Sequence, residues 1–135
     1  MDANLDAKKL SELADVLCNW AKALNDYRFE KKQEHQISEG DYNKIGVKVK
    51  QLLNAAEKMK VMSTLLVSKE VARSLEQIGK VSSEMAKTIR GLGSVQKIIS
   101  LATGLAELGS AIIQKDASGI QEQVQELLVL WKNEV

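Results

Sequence analysis

The chain has 135 residues, no proline, one cysteine and one histidine, with 44% hydrophobic and 4% aromatic residues and a formal net charge of +1. The absence of proline favours long uninterrupted helices, and the hydrophobic content is too high for a disordered chain. The near-neutral balance of interspersed charges disfavours a nucleic-acid binder, and a lone thiol excludes an internal disulfide and a multi-cysteine zinc site. We expect one domain over 1–135 with an aliphatic core.

The beginning of the chain carries no targeting signal of the Sec type. Its first four residues, Met1 to Asn4, are acidic and polar, and neither a basic region nor an apolar stretch precedes Asp6. We therefore expect cytoplasmic residence as the default. Export by a route that reads no cleavable signal stays open.

The first predicted helix carries a regular apolar seam that steps by three and four residues, which is the spacing of a coiled-coil-like stripe. Its members are Leu10, Leu13, Leu17, Trp20, Leu24 and Tyr27. Four polar residues at 31–34 end the pattern. Ser38 and Asp41 have the spacing of a capping pair for the next helix.

Two further seams follow, and their register slips between Leu66 and Val71. The second seam comprises Tyr42, Ile45, Val49, Leu52, Ala56, Met59, Ser63 and Leu66, and the third comprises Val71, Leu75, Ile78, Ser82, Met85, Ile89 and Leu92. Ser68 could cap a new helix, or one helix of about 50 residues could run through a stutter over 42–90. Because no Gly, Asn, Asp or Pro lies between 58 and 72, we favour the continuous or slightly bent helix.

The last third of the chain predicts two helices. Gly91 to Ser94 is the strongest turn signal, and an apolar helix follows from Val95 to Gln114. A second break falls at Asp116 to Gly119, where Ser118 and Gln121 have capping-box spacing. The final seam comprises Ile120, Val124, Leu127 and Trp131.

These elements predict an all-α fold, an elongated antiparallel helical bundle with coiled-coil-like heptad seams. It has three long layers, or five helices if the chain breaks near Ser68. The side chains expected to dominate the packing are Leu17, Trp20, Leu52, Met59, Leu75, Ile98, Leu105 and Trp131.

No residues form a recognisable catalytic, cofactor-binding or metal-binding constellation. Cys18 and His35 are the only thiol and imidazole, and a helix that reaches His35 would separate them by about 25 Å. We interpret Cys18 as a small buried hydrophobe and His35 as an exposed residue at a helix end. His35 and Glu39 could share a helical face, but two ligands do not make a metal site.

A basic stripe is the first candidate binding feature. Lys69, Arg73, Lys80 and Lys87 lie opposite the third apolar seam on a single helix, with Glu76 among them. The stripe is either a solvated outer face or a surface for an anionic partner, such as an acidic protein, membrane headgroups or a nucleic-acid backbone. The glutamate and the lack of interleaved aromatic residues disfavour nucleic acid.

The apolar helix over 95–113 is the second candidate. Its membrane-facing or partner-facing residues would be Ile98, Ile99, Ala102, Leu105, Ala106 and Ile112. Ala102, Ala106 and Ser110 form a ladder of small residues that lets helices approach closely. The helix is either the centre of the bundle or a segment that leaves the bundle and inserts into a membrane.

These observations predict a non-enzymatic protein that acts by protein–protein interaction or as a structural bundle. Its partner is another protein or a second copy that associates through heptad surfaces. The alternative is a membrane-active or secretion-associated protein that exposes its 95–113 helix. A pocket for a small molecule or peptide between helices is a third interpretation, for which the sequence offers no polar anchor.

Overall fold

The computed structural model describes residues 2–91 and 94–134 of the chain. Over these residues it contains six helices and one two-stranded sheet, which confirms the predicted all-α helical bundle. In chain order the elements are β1 (Asp2–Asp6), α1 (Ala7–Gln33), α2 (Glu39–Met59), β2 (Thr64–Ser68), α3 (Lys69–Lys80), α4 (Ser82–Gly91), α5 (Val95–Ile113) and α6 (Ala117–Glu134).

Side-chain caps begin α2 and α5 where the sequence predicts them. The Ser38 hydroxyl accepts a hydrogen bond from the Asp41 N–H at 3.1 Å, and the Ser94 hydroxyl accepts one from the Lys97 N–H at 3.4 Å. Each bond satisfies one of the amides that the first turn of a helix leaves without a partner. The middle of the predicted turn, at 92–93, lies outside the described residues, as does Leu92 of the third seam.

The last helix begins earlier than predicted. The Asp116 carboxylate accepts a hydrogen bond from the Gly119 N–H at 3.0 Å, and α6 already includes Ala117. The predicted capping box of Ser118 and Gln121 is therefore wrong, because Asp116 supplies the cap and Ser118 lies inside the first turn.

The predicted continuous helix over 42–90 is wrong. α2 ends at Met59, and the chain turns through 60–63 without a glycine before it extends into β2. Ser68 then caps α3 by accepting a hydrogen bond from the Val71 N–H at 3.1 Å, as the other interpretation required. The turn is missed because its signal is not local: the segment after it is extended by pairing with the start of the chain.

The two strands pair antiparallel, with Asp2 opposite Ser68 and Asp6 opposite Thr64. Alternate side chains on an antiparallel ribbon face opposite sides. Leu5, Leu65 and Val67 are buried on the inner face, whereas Leu66 is 60% exposed on the outer face. The assignment of Leu66 to an apolar helical seam is therefore also wrong.

The third seam is divided between two helices. α3 ends at Lys80, Val81 takes up a non-helical conformation with φ −95° and ψ 6°, and α4 starts at Ser82. The seam residues of both helices nevertheless face the core, because Ile78, Ser82 and Met85 are buried.

Paired contacts fix the directions of the long helices. Asp15 meets Lys60 and Phe29 meets Tyr42, so α1 and α2 form an antiparallel hairpin. Gly104 lies against Leu127 and Gly119 against Ala111, so α5 and α6 are also antiparallel. By contrast, α2 and α5 are parallel, because Asp41 meets Gln96 and Ala55 meets Gly109.

The buried side chains form one hydrophobic core. Seven of the eight predicted packing residues are buried: Leu17, Trp20, Leu52, Met59, Leu75, Ile98 and Leu105. Trp131 is half-buried at the edge of this core. Across the described part of the chain, no helix combines the length and the apolar character that crossing a bilayer requires.

Candidate functional site

An open groove with a volume of about 590 Å³ lies between α1, β1 and α3. This volume falls in the range of sites that hold small ligands or several side chains of a partner. β1 contributes Ala3 and Leu5; α1 contributes Lys9, Glu12, Leu13 and Val16; α3 contributes Lys69, Ala72, Arg73, Leu75, Glu76, Gly79 and Lys80.

The sheet sets the two helices of the groove apart. Each strand leads directly into one of them, β1 into α1 and β2 into α3. Because the strands are antiparallel, α1 leaves the sheet at the Asp6 end and α3 leaves at the opposite end, about 13 Å away along five paired residues. The helices therefore start apart, and the inner face of β1 lies at the groove between them.

The floor of the groove is apolar and its rim is charged. Six lining residues are apolar, and Leu5, Leu13 and Leu75 are the largest of the buried ones. On α3 the rim residues recur every three or four positions from Lys69 to Lys80, so they form one ridge along the helix. This ridge keeps its charges in water while the apolar face of α3 packs into the core.

The rim carries more positive than negative charge, because four of the lining side chains are cationic and two are carboxylates. Lys80 lies 3.8 Å from Glu76 in an exposed pair that spans one helical turn. Within the described residues, the side chains of Arg73 and Lys9 form no ion pair, and they stand on opposite walls. Each wall of the groove thus carries one cation, Arg73 on α3 and Lys9 on α1, that forms no ion pair within the described residues.

The structure brings together three of the four residues of the predicted basic stripe. Lys69, Arg73 and Lys80 line the groove, whereas Lys87 is exposed on α4 and does not line it. The predicted stripe is therefore divided between two helices at Val81, and only its α3 part lines the groove.

The apolar candidate helix, α5, lies inside the bundle. Ile98, Ala102, Leu105, Ala106 and Ile112 are buried and Ile99 is half-buried, so these six residues present little surface to a membrane or a partner. Close approach occurs at glycine: a Cβ at position 109 would lie 2.9 Å from the Ala55 Cβ. This packing corresponds to the interpretation of α5 as the central helix of the bundle.

Cys18 and His35 lie far from each other, because Cys18 is inside α1 and His35 follows the end of that helix. Cys18 is half-buried in the middle of the helix, and fifteen helical residues, about 22 Å, separate it from Gln33. His35 is exposed with φ 58°, and its N–H donates to the Lys32 carbonyl, so its backbone closes the end of α1. Among the described residues, no group of three or more His, Cys, Asp or Glu side chains could hold a metal ion.

A cluster of aromatic and cationic side chains, which the sequence reasoning missed, closes the tip of the α1–α2 hairpin. The Arg28 guanidinium lies 4.7 Å from the Phe29 ring centre and 4.4 Å from that of Tyr42. Lys32 Nζ lies 4.2 Å from the Tyr42 ring centre. These cation–π contacts join the two helices, which gives the cluster a structural role. The signal was present as alternating aromatic and basic residues at 27–29.

A second depression lies between α4, α5 and α6 and has a volume of about 310 Å³. It is lined by Thr88, Gln96, Lys97, Ser100, Leu101, Leu130 and Trp131. Two of its polar side chains already form hydrogen bonds within the chain: the Thr88 hydroxyl donates to the Glu84 carbonyl, and the Gln96 amide donates to the Asp41 carboxylate.

The chain gave no match in comparisons with protein-family models, with curated proteins and with solved structures.

The sequence reasoning found one wall of the groove and missed the others. It identified the charges of α3 from their spacing, but it assigned no role to the α1 residues Lys9, Glu12 and Val16 or to the β1 residues Ala3 and Leu5. The alternation of polar and apolar residues at 2–6 was the available signal for β1. Five residues are too few to distinguish such a strand from an irregular chain start without its distant partner.

Proposed function

We propose that the protein is a non-enzymatic interaction module that binds another protein through the groove between α1, β1 and α3. The observation that carries this proposal is the combination of an apolar floor with two cations on opposite walls, Lys9 and Arg73, whose side chains form no ion pair within the described residues. A concave apolar floor framed by polar residues is typical of binding sites. Its place on two helices of a packed bundle gives the site a rigid support.

The sequence-based hypothesis placed the partner on the heptad seams, and we now propose a different surface for it. Their members on α1, such as Leu17, Trp20 and Leu24, are buried within this chain, so the seams serve its own core. A partner, whether another protein or a second copy, would therefore bind through a different surface. The groove supplies one. The alternative of membrane insertion gains no support from α5, whose apolar residues are covered.

Site-specific photo-cross-linking tests this proposal in the cells that express the protein. A photoreactive phenylalanine analogue placed at Ala72, in the groove, is expected to give a discrete protein adduct. The same analogue at Val47, which is 52% exposed on α2 and outside the groove, serves as the matched control and is expected to give none. No adduct at Ala72, or the same adducts at both positions, would overturn the proposal.

Light scattering over a concentration series then separates the two kinds of partner. A mass that rises with concentration, together with a homodimeric adduct at Ala72, would identify the partner as a second copy of the chain. A constant monomer mass with a heterologous adduct would identify a different protein.

A further inference from the structure

We propose that the groove binds an acidic amphipathic helix of a partner protein, about three turns long. This inference rests on the proposed function of the groove and adds the chemistry and conformation of its occupant. Three features of the groove carry it: the length of its α3 wall, the apolar strip between its charged rims and the positions of its charges.

The length of the occupant follows from the length of α3. The groove uses this helix from Lys69 to Lys80, and these twelve residues rise about 17 Å. A helix of three turns has the same length. Its apolar side chains would be needed at the i, i+4 and i+7 positions, the spacing at which helices enter grooves.

The helical conformation follows from the shape of the site. Both walls are helices, and the apolar residues between the two charged rims include the half-buried Val16 on one wall and Ala72 on the other. An apolar strip with a charged rim on each side matches the single stripe of an amphipathic helix, whose polar residues then face the rims and the solvent. Elsewhere in this protein a helix of the chain itself covers an apolar helical face, since α5 packs along α2.

The acidic character follows from the unpaired cations on both walls. Arg73 on α3 and Lys9 on α1 would flank an inserted helix from its two sides. Carboxylates on either side of the apolar stripe would thus each find a cation, whereas a basic helix would meet repulsion from both rims. Glu76 on α3 and Glu12 on α1 would repel carboxylates of the inserted helix that lie next to them. The site therefore selects helices by the spacing of their acidic residues.

The test selects binders from a displayed library of helical peptides of about 14 residues whose charges are left random. The full chain is the bait. We expect selected peptides to carry net negative charge and apolar residues at helical spacing. Selection of neutral or basic peptides, or of peptides with alternating apolar residues that would add a strand to the sheet, would overturn the inference.

A charge-matched pair of variants localises the binding. Arg73→Glu should weaken binding of a selected peptide about tenfold, as measured by fluorescence anisotropy. Lys87→Glu makes the same change in net charge on α4, outside the groove, and should leave the affinity within about twofold. Both residues are exposed, so both variants are expected to fold. Equal effects of the two variants would overturn the inference.

Rescue provides a second readout that a folding defect cannot imitate. A peptide in which the glutamate facing Arg73 is replaced by lysine should bind Arg73→Glu better than it binds the natural protein. Failure of this reversal would show that the carboxylate–cation pairing is not the basis of recognition.

The results also separate this inference from the proposed function. A groove-specific adduct at Ala72 without selection of acidic helices would leave the proposed function standing and overturn the inference. Chemical-shift changes at Leu13 and Leu75 with sodium decanoate, together with no selected peptide, would likewise overturn it, because the groove would then take a small anionic amphiphile. Loss of both the adduct and the selected peptides would overturn both proposals.

Discussion

The α1–α2–α5 region and the α1–β1–α3 corner solve the same packing problem differently. In the first region, small residues let the helices approach until a Cβ at Gly109 would lie 2.9 Å from the Ala55 Cβ, and large side chains such as Trp20 and Leu52 are fully buried. In the second, a strand lies between the helices and an open groove of about 590 Å³ remains. The difference shows that a helical bundle keeps its surface accessible where a short sheet sets the helix spacing.

The largest expected effect is the loss of a fully buried side chain from the tightly packed region. Leu52→Ala should lower the free energy of unfolding by about 3 kcal/mol, because it leaves a cavity that the surrounding helices cannot fill. Leu75→Ala, at the groove, should cost about 1 to 2 kcal/mol less, since water can enter the space from the open side. Urea denaturation measures both values. Equal losses would contradict the difference in packing between the two regions.

Alanine at two glycines should change stability in opposite directions. Gly109→Ala should destabilise the protein by about 1 to 2 kcal/mol, because the new Cβ would overlap that of Ala55 on another backbone. Gly79→Ala, on α3, meets no atom within 4 Å and should stabilise the protein by about 0.5 to 1 kcal/mol through its higher helix propensity. Thermal unfolding of the two variants is the measurement. Stabilisation by both would show that α5 has room to move away from α2.

The smallest effect concerns alkaline pH and the tightly packed region. Burial raises the pKa of Tyr27 above its ordinary value of 10.0, and its hydroxyl has no hydrogen-bond partner among the described residues. The hydrogen bond and the charge of Asp15 raise the pKa of Lys60 from 10.5. In both cases the fold favours the protonated form. The resulting stability is complete below pH 10 and is lost as the pH rises through the raised values.

Tyr27→Phe isolates the tyrosine part of this pH dependence. The variant keeps the ring in the core and removes the ionisable group, so its melting temperature should fall less steeply than that of the natural protein between pH 9 and 11. Asp15→Asn is the companion variant for Lys60. Melting curves across this pH range measure both effects, and unchanged slopes in the two variants would contradict them.

Local periodicity was sufficient for the all-α class and for most of the side chains that fill the core. The seam of α1 and the capping residues Ser38 and Ser94 follow from spacing alone, because each depends on neighbours within one or two turns. The end of α2 does not follow, because residues 64–68 become a strand only when residues 2–6 lie beside them. Heptad spacing continued through the turn and favoured the wrong structure.

The candidate site was predictable only in the part that one helix carries. Lys69, Arg73 and Lys80 follow from helical spacing, whereas Lys87 lies on α4 and does not line the groove. The wall on α1 could not be inferred, since nothing in the sequence indicates which face of α1 stays uncovered. That depends on the distance between two helices that are separated by more than thirty residues along the chain.

The pairing of β1 with β2 also determines the order in which the site can form during folding. The α1–α2 hairpin joins neighbouring segments and can form from local contacts, whereas the sheet must close a loop from Asp6 to Thr64. Residues 2–6 therefore reach their place only when residues 64–68 lie beside them. A chain in which this sheet is open would keep its helical hairpin but would lack the groove.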